Sequence, residues 1–147
     1  MLAKVMGGKN LKEIINAYKD KVTYRLEFGY FPDARYDDDE KTPVAAVAFR
    51  NEYGVSREVP SRPFFKNANR LLAKEVPTIA KSQHSLNNDF MQIVGKRALF
   101  NLKASILGKG YQYVPNSDKT IALKGHDIQL IDTGRMFRSG KYTITKL

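Results

Sequence analysis

The chain has 147 residues, no cysteine and a formal net charge of +10. That length fits one domain with a real core, here residues 1–147, and the lack of cysteine excludes a disulfide framework, a thiolate metal site and a cysteine nucleophile. No apolar run approaches the roughly 20 residues of a membrane span, and Met1-Leu-Ala-Lys-Val-Met-Gly-Gly is too short and polar for a signal peptide, so synthesis in the cytosol is expected.

The first helix signal is Asn10 with Glu13, a capping box, followed by Leu11, Ile14, Ile15 and Tyr18 on one stripe. Residues Leu2 to Met6 could add a strand before it. Val22, Tyr24, Leu26, Phe28 and Tyr30 then alternate with polar residues and glycine, the period of a half-buried strand. Pro32 to Lys41 breaks the pattern with Asp33, Asp37, Asp38, Asp39 and Glu40. Calcium loops space their ligands at alternate positions, so this contiguous run reads as a solvated loop. Thr42-Pro43 reads as a helix start, Thr as cap and Pro as first helical residue. Val44, Val47, Ala48 and Phe49 would form its apolar side, with Gly54 a left-handed C-cap.

Val59-Pro60-Ser61-Arg62-Pro63-Phe64-Phe65 is a rigid connector, because each proline fixes its own φ and restricts the residue before it. Pro63 can begin the next helix, which carries Phe64, Phe65, Ala68, Leu71, Leu72, Val76 and Ile79; Pro77 is expected to kink or end it. Phe64 and Phe65 are read as core. A further helix is expected from Ser85 to Leu107 with the stripe Leu86, Phe90, Ile93, Val94, Phe100, Ala104 and Leu107, stopped by Gly108 and Gly110. From Gly108 to Gln129 neither helical nor strand periodicity holds, which predicts a long arm over about 108–130. Loops beyond about 12–15 residues are uncommon in compact domains and tend to be functional. Lys141 to Leu147 reads as a terminal strand able to pair with the first. The expected fold is α+β: a small antiparallel sheet against three to four helices, with a long extended C-terminal arm.

No catalytic or metal-binding constellation emerges. His84 suits a surface or capping role, and the neighbours His126 and Asp127 do not make a triad by adjacency. Phosphate-loop, zincin and nucleophile-elbow motifs are lacking, so no catalytic residue, metal or cofactor is expected. The charge is uneven: residues 1–80 hold 14 basic and 11 acidic residues, while 81–147 hold 11 and 4. The cations Lys96, Arg97, Lys103, Lys109, Arg135, Arg138, Lys141 and Lys146, interleaved with Tyr111, Tyr113, Phe137 and Tyr142, are open to two readings. They form a solvated basic face or a track for a nucleic-acid backbone.

Two blocks carry a family resemblance. Val47-Ala48-Phe49-Arg50-Asn51-Glu52-Tyr53-Gly54 with Val59-Pro60-Ser61-Arg62-Pro63-Phe64-Phe65 resembles a block of the neck and tail-completion (virion morphogenesis) proteins of long-tailed bacteriophages. Pro115-Asn116-Ser117, Thr120-Ile121, Lys124-Gly125 and Leu130-Ile131-Asp132-Thr133-Gly134-Arg135-Met136 resemble that family's C-terminal arm, with Gln129 where the family has proline. The resemblance covers about Tyr24 to Tyr142. It implies a structural virion protein rather than an enzyme, a homo-oligomeric ring (a hexamer is expected) at the head–tail junction. Its partners would be neighbouring neck, connector and tail proteins, with transient contact to packaged DNA and no membrane. A tail terminator capping the tail tube and a small basic nucleic-acid-binding protein are the alternatives. On this reading Asn51, Glu52, Arg62, Asp132, Thr133, Gly134, Arg135 and Met136 are assembly residues. Arg62 would pair with Glu52 or a neighbour's acid, and the 132–134 turn would aim Arg135 and Met136 at the next subunit. Lys96, Arg97, Lys103, Lys109, Arg138 and Lys141 could face DNA in the lumen.

Overall fold

A computed structural model describes residues 23–38, 40–83 and 86–147. The expected first helix, the candidate strand at Leu2 to Met6, Asp39, His84 and Ser85 lie outside these residues. The two expected strands are present and pair. Strand β1, Tyr24–Gly29, runs antiparallel to β2, Lys141–Lys146, with Leu26 opposite Ile144 and Phe28 opposite Tyr142. Alternation does what period 2 requires. Tyr24, Leu26, Phe28, Tyr142 and Ile144 are half-buried, and Arg25, Glu27, Thr143 and Thr145 face solvent.

Five helices occupy the described residues between the strands, so the chain is α+β. They are α1, Val44–Tyr53; α2, Phe64–Lys81; α3, Asn88–Ile106; α4, Asp118–Lys124; and α5, Arg135–Ser139. Helices α2 and α3 pack along each other, and α3 also covers the sheet. One core joins Val44 and Ala48 of α1, Phe64 and Ala68 of α2, Leu102 and Ile106 of α3, Leu130 and Met136. A second joins Leu72, Phe90, Val94 and Ala98, with Leu26 and Phe28 of β1 against it.

Several local expectations are corrected. Thr42 does not cap α1: Pro43 holds the N-cap position without a side-chain bond, and the Thr42 N–H donates to Asp38 Oδ1 at 2.7 Å. Phe49 is 62% exposed, because Glu52 takes the inward position one turn after Ala48. Gly54 has the expected positive φ of 71°, but its ψ of 157° lies outside the left-handed helical region. Pro77 does not end α2, which continues to Lys81. Pro77 and Ala73 are both exposed, so water can serve the carbonyl that proline leaves without a donor.

The α3 stripe also differs. Phe90, Val94, Gly95, Ala98, Asn101, Leu102, Ser105 and Ile106 are buried, whereas Phe100 is 60% and Leu107 44% exposed. Small residues (Gly95, Ala98 and Ser105) share the inward face with Phe90, Val94, Leu102 and Ile106. At Gly95 an added Cβ would lie 2.5 Å from the Tyr142 ring, so glycine lets helix and strand meet.

The arm is less irregular than expected. Ser117 accepts from the Thr120 N–H at 3.3 Å and starts α4, and Gly125, at φ 75°, ends it. Helix α5 was not legible as a helix. The arm remains long, but its end is anchored by burial of Leu130 and Met136.

Candidate interaction site: the clasp between connector and arm

The connector enters α2 through Pro63, which has no side chain able to cap a helix. The first amide groups of a helix need acceptors. Glu52, at the end of α1 and 8% exposed, supplies them: its carboxylate accepts from the Phe65 N–H at 2.7 Å and the Lys66 N–H at 3.0 Å. A carboxylate there also meets the positive end of the helix dipole. Ser61 Oγ donates to the Glu52 carbonyl at 2.7 Å, and the Arg62 N–H donates to the Asn51 carbonyl at 2.7 Å. Asn51 Nδ2 donates back to the Val47 carbonyl at 2.9 Å. Helix α1, connector and α2 are thereby one welded corner.

Arg62 does not pair with Glu52. Its side chain reaches the arm, where Nε donates to the Val114 carbonyl at 2.9 Å, and Nη2 to the Pro115 carbonyl at 3.3 Å and Asn116 Oδ1 at 3.2 Å. Arg62 is 6% exposed. Burial lowers its pKa from the ordinary value, with Asp127 pulling the other way. The guanidinium fork suits several carbonyls at once, which a lysine could not match. The expected pairing of Arg62 with Glu52 is therefore corrected: both are buried and each has a separate task.

A second tie was not anticipated. Tyr113 Oη donates to the Ser105 carbonyl of α3 at 2.9 Å and accepts from Asn67 Nδ2 at 3.5 Å. Burial raises the Tyr113 phenol above its usual pKa. The sequence signal for it was slight: one tyrosine after a glycine pair, and a polar Asn67 on an apolar stripe.

The Asp132-Thr133-Gly134 segment is the expected turn. Gly134 has φ 75°, and Thr133 Oγ1 accepts from the Arg135 N–H at 3.3 Å. Of the two residues after the turn, Met136 points inward, contrary to expectation, while Arg135 stays at the surface with its side chain 39% exposed. Met136 is 4% exposed and belongs to the core. Arg135 Nε donates to the Arg35 carbonyl at 2.8 Å, and its guanidinium lies 4.0 Å from Asp37. Asp132 and Thr133 remain exposed.

The cations divide. Arg97 is paired with Glu75, Nε to Oε2 at 2.9 Å, and lies over the Phe100 ring. Lys141 is paired with Asp33, whose carboxyl that bond holds below its ordinary pKa. Lys103 sits over Phe137, and Arg138 Nη2 donates to the Thr133 carbonyl at 3.1 Å. Lys96 and Lys109 are exposed with no partner among the described residues. The six do not form one continuous row of free charges.

Large apolar side chains also stand outside: Phe49 and Tyr53 on α1, 62% and 67% exposed with ring centroids 4.7 Å apart, and Leu123 on α4, 80% exposed. His126 Nδ1 accepts from the Ile128 N–H at 3.2 Å, a local turn contact. Among the described residues no three His, Asp or Glu side chains gather as metal ligands, and no helix is long and apolar enough to cross a membrane. Comparison of the chain with protein-family models, with curated proteins and with solved structures finds no match.

Proposed function

We propose that this chain is a structural subunit of a tailed-bacteriophage virion, one copy of a homo-oligomeric ring at the head–tail junction that joins head to tail and lets DNA pass. The observation that carries the reading is the Arg62 clasp. The two sequence blocks on which the resemblance rests are far apart in the chain, yet Arg62 of the first is hydrogen-bonded to Pro115 and Asn116 at the start of the second and to Val114 just before it, contacts spanning 52 to 54 positions. They work as one structural unit. The residues that the sequence suggests for subunit contact would instead brace the surface that makes it. Adhesion would come from the apolar side chains left outside, Phe49, Tyr53 and Leu123, since exposed apolar clusters mark contact surfaces.

Mass photometry and negative-stain electron microscopy of the purified protein test this reading. Closed rings are expected at micromolar concentration, together with antibody labelling at the neck of particles. A species that stays monomeric, with particles unlabelled at the head–tail junction and along the tail, rejects it. Labelling confined to the end of the tail tube reassigns the ring to a tail terminator.

A further inference from the structure

The clasp forms one wall of a cavity of about 850 Å³ between α1, the connector, the start of the arm and α4. Its charge is one-sided. Arg50, Arg57, Arg62, Lys119 and Lys124 line it, against the single carboxylate of Glu58. None of the five cations has a carboxylate within 4.0 Å among the described residues. Burial lowers the Lys124 pKa, Arg62 lowers it further, and Asp132 and Asp127 oppose this through space.

Two polar groups at the wall are incompletely used. Arg62, only 6% exposed, donates through Nε and Nη2 alone, to neutral oxygens, and Nη1 has no partner among the described residues. Asn116 Nδ2 is buried with no hydrogen-bond partner among the described residues. A buried cation with no carboxylate in direct contact is unfavourably placed, and an orphaned buried donor is destabilising. Both are relieved by one ligand chemistry: an anion with several acceptor oxygens.

We propose that this cavity binds an oxyanion, a carboxylate or a phosphate group, held by the guanidinium of Arg62 and, once its side chain turns toward the cavity, by the amide of Asn116. Arg50, Arg57, Lys119 and Lys124 supply the surrounding positive field. The site rests on the cavity's own geometry and stands whether or not copies of the chain form rings.

The test is an NMR titration of the full chain. The side-chain signals of Arg62 Nε–H and Asn116 Nδ2–H₂ are followed as succinate, inorganic phosphate or a 12-base-pair DNA duplex is added, with sodium chloride at equal ionic strength as the control. Saturable shifts at those two groups with succinate or phosphate, not reproduced by chloride, are expected. Saturation by succinate alone assigns an acidic side chain as the natural occupant; saturation by phosphate assigns a phosphorylated ligand. Asn116→Asp places a carboxylate in the cavity, so it should weaken either anion by about tenfold or more while raising Tm without ligand. The double variant Arg57→Gln with Lys119→Gln changes only exposed side chains and should weaken binding several-fold with Tm unchanged. Shifts that never saturate, that spread over Lys96, Lys109 and Lys146, that appear only with the duplex, or that are equal in the double variant overturn the proposal.

Discussion

Glu52 shows how a single side chain can hold two helices in register. Its carboxylate replaces the cap that Pro63 cannot provide, and it does so from inside the protein. Glu52→Ala strips both amides of their acceptor in a buried place. A loss of about 1.5–3 kcal/mol is expected, the range for hydrogen bonds to a charged group, read by urea denaturation. Tyr30 offers the opposite case. Its hydroxyl is buried with no hydrogen-bond partner among the described residues, and burial, aided by Tyr36, pushes the phenol well above its ordinary pKa. Tyr30→Phe removes the orphan and keeps the ring, so stability should hold or rise by up to about 1 kcal/mol; a fall of that size in the same assay contradicts it. Neither role was legible in the chain. The resemblance singles out Glu52 and Arg62, with Arg62 expected to pair with Glu52 or with a neighbour's acid. Their actual partners are mostly backbone groups, with Asn116 Oδ1 the one side-chain acceptor, and no side-chain pattern reveals them.

Element type was legible where the apolar period was clean. Both strands follow from alternation, and α2 follows from Phe64, Ala68 and Leu72. Phase failed in α1 and α3 because size misled. Hydrophobicity alone places Phe49 and Phe100 inward, while Glu52, Gly95 and Ser105 hold the inward positions. Close packing favours small residues where backbones meet, and that preference is invisible until the neighbour is known. Gly95 tests it. Alanine is the better helix former by about 1 kcal/mol, yet its Cβ would enter the Tyr142 ring, which is pinned by a 2.7 Å bond from Tyr142 Oη to Gln92. Overpacking of about 1–3 kcal/mol should win, so Gly95→Ala is expected to lower Tm. The pairing of α2 with α3 carries a pH signature. Hydrogen bonds from Arg97 and, less strongly, Asn101 hold the Glu75 carboxyl below its ordinary pKa against partial burial. The folded value lies below the unfolded one, near 4.3. The contribution is therefore complete above that value and fades as pH falls through the folded pKa. Glu75→Gln should cost about 1 kcal/mol at pH 7, and the gap from the wild type should narrow as pH falls below the unfolded value in parallel urea titrations.

At the scale of the whole molecule, the internal bracing and the outer apolar side chains can be separated by mutation. Phe49→Ser with Tyr53→Ser changes residues that are mostly exposed. Folding stability should move by no more than about 0.5 kcal/mol, while sedimentation velocity should show loss of the associated species. Association unchanged by this pair would direct attention to Leu123 and the arm instead. The sheet that closes the fold has a consequence in time. β1 has β2 as its sole hydrogen-bonded strand neighbour among the described residues, and their residues are 112 positions apart from Gly29 to Lys141. At about 5–20 residues per second, a ribosome leaves β1 waiting on the order of 5–20 s with its edge unpaired. A nascent or prematurely released polypeptide would thus present an adhesive ribbon that the finished protein conceals, which makes chaperone capture or proteolysis of incomplete translation products the expected fate.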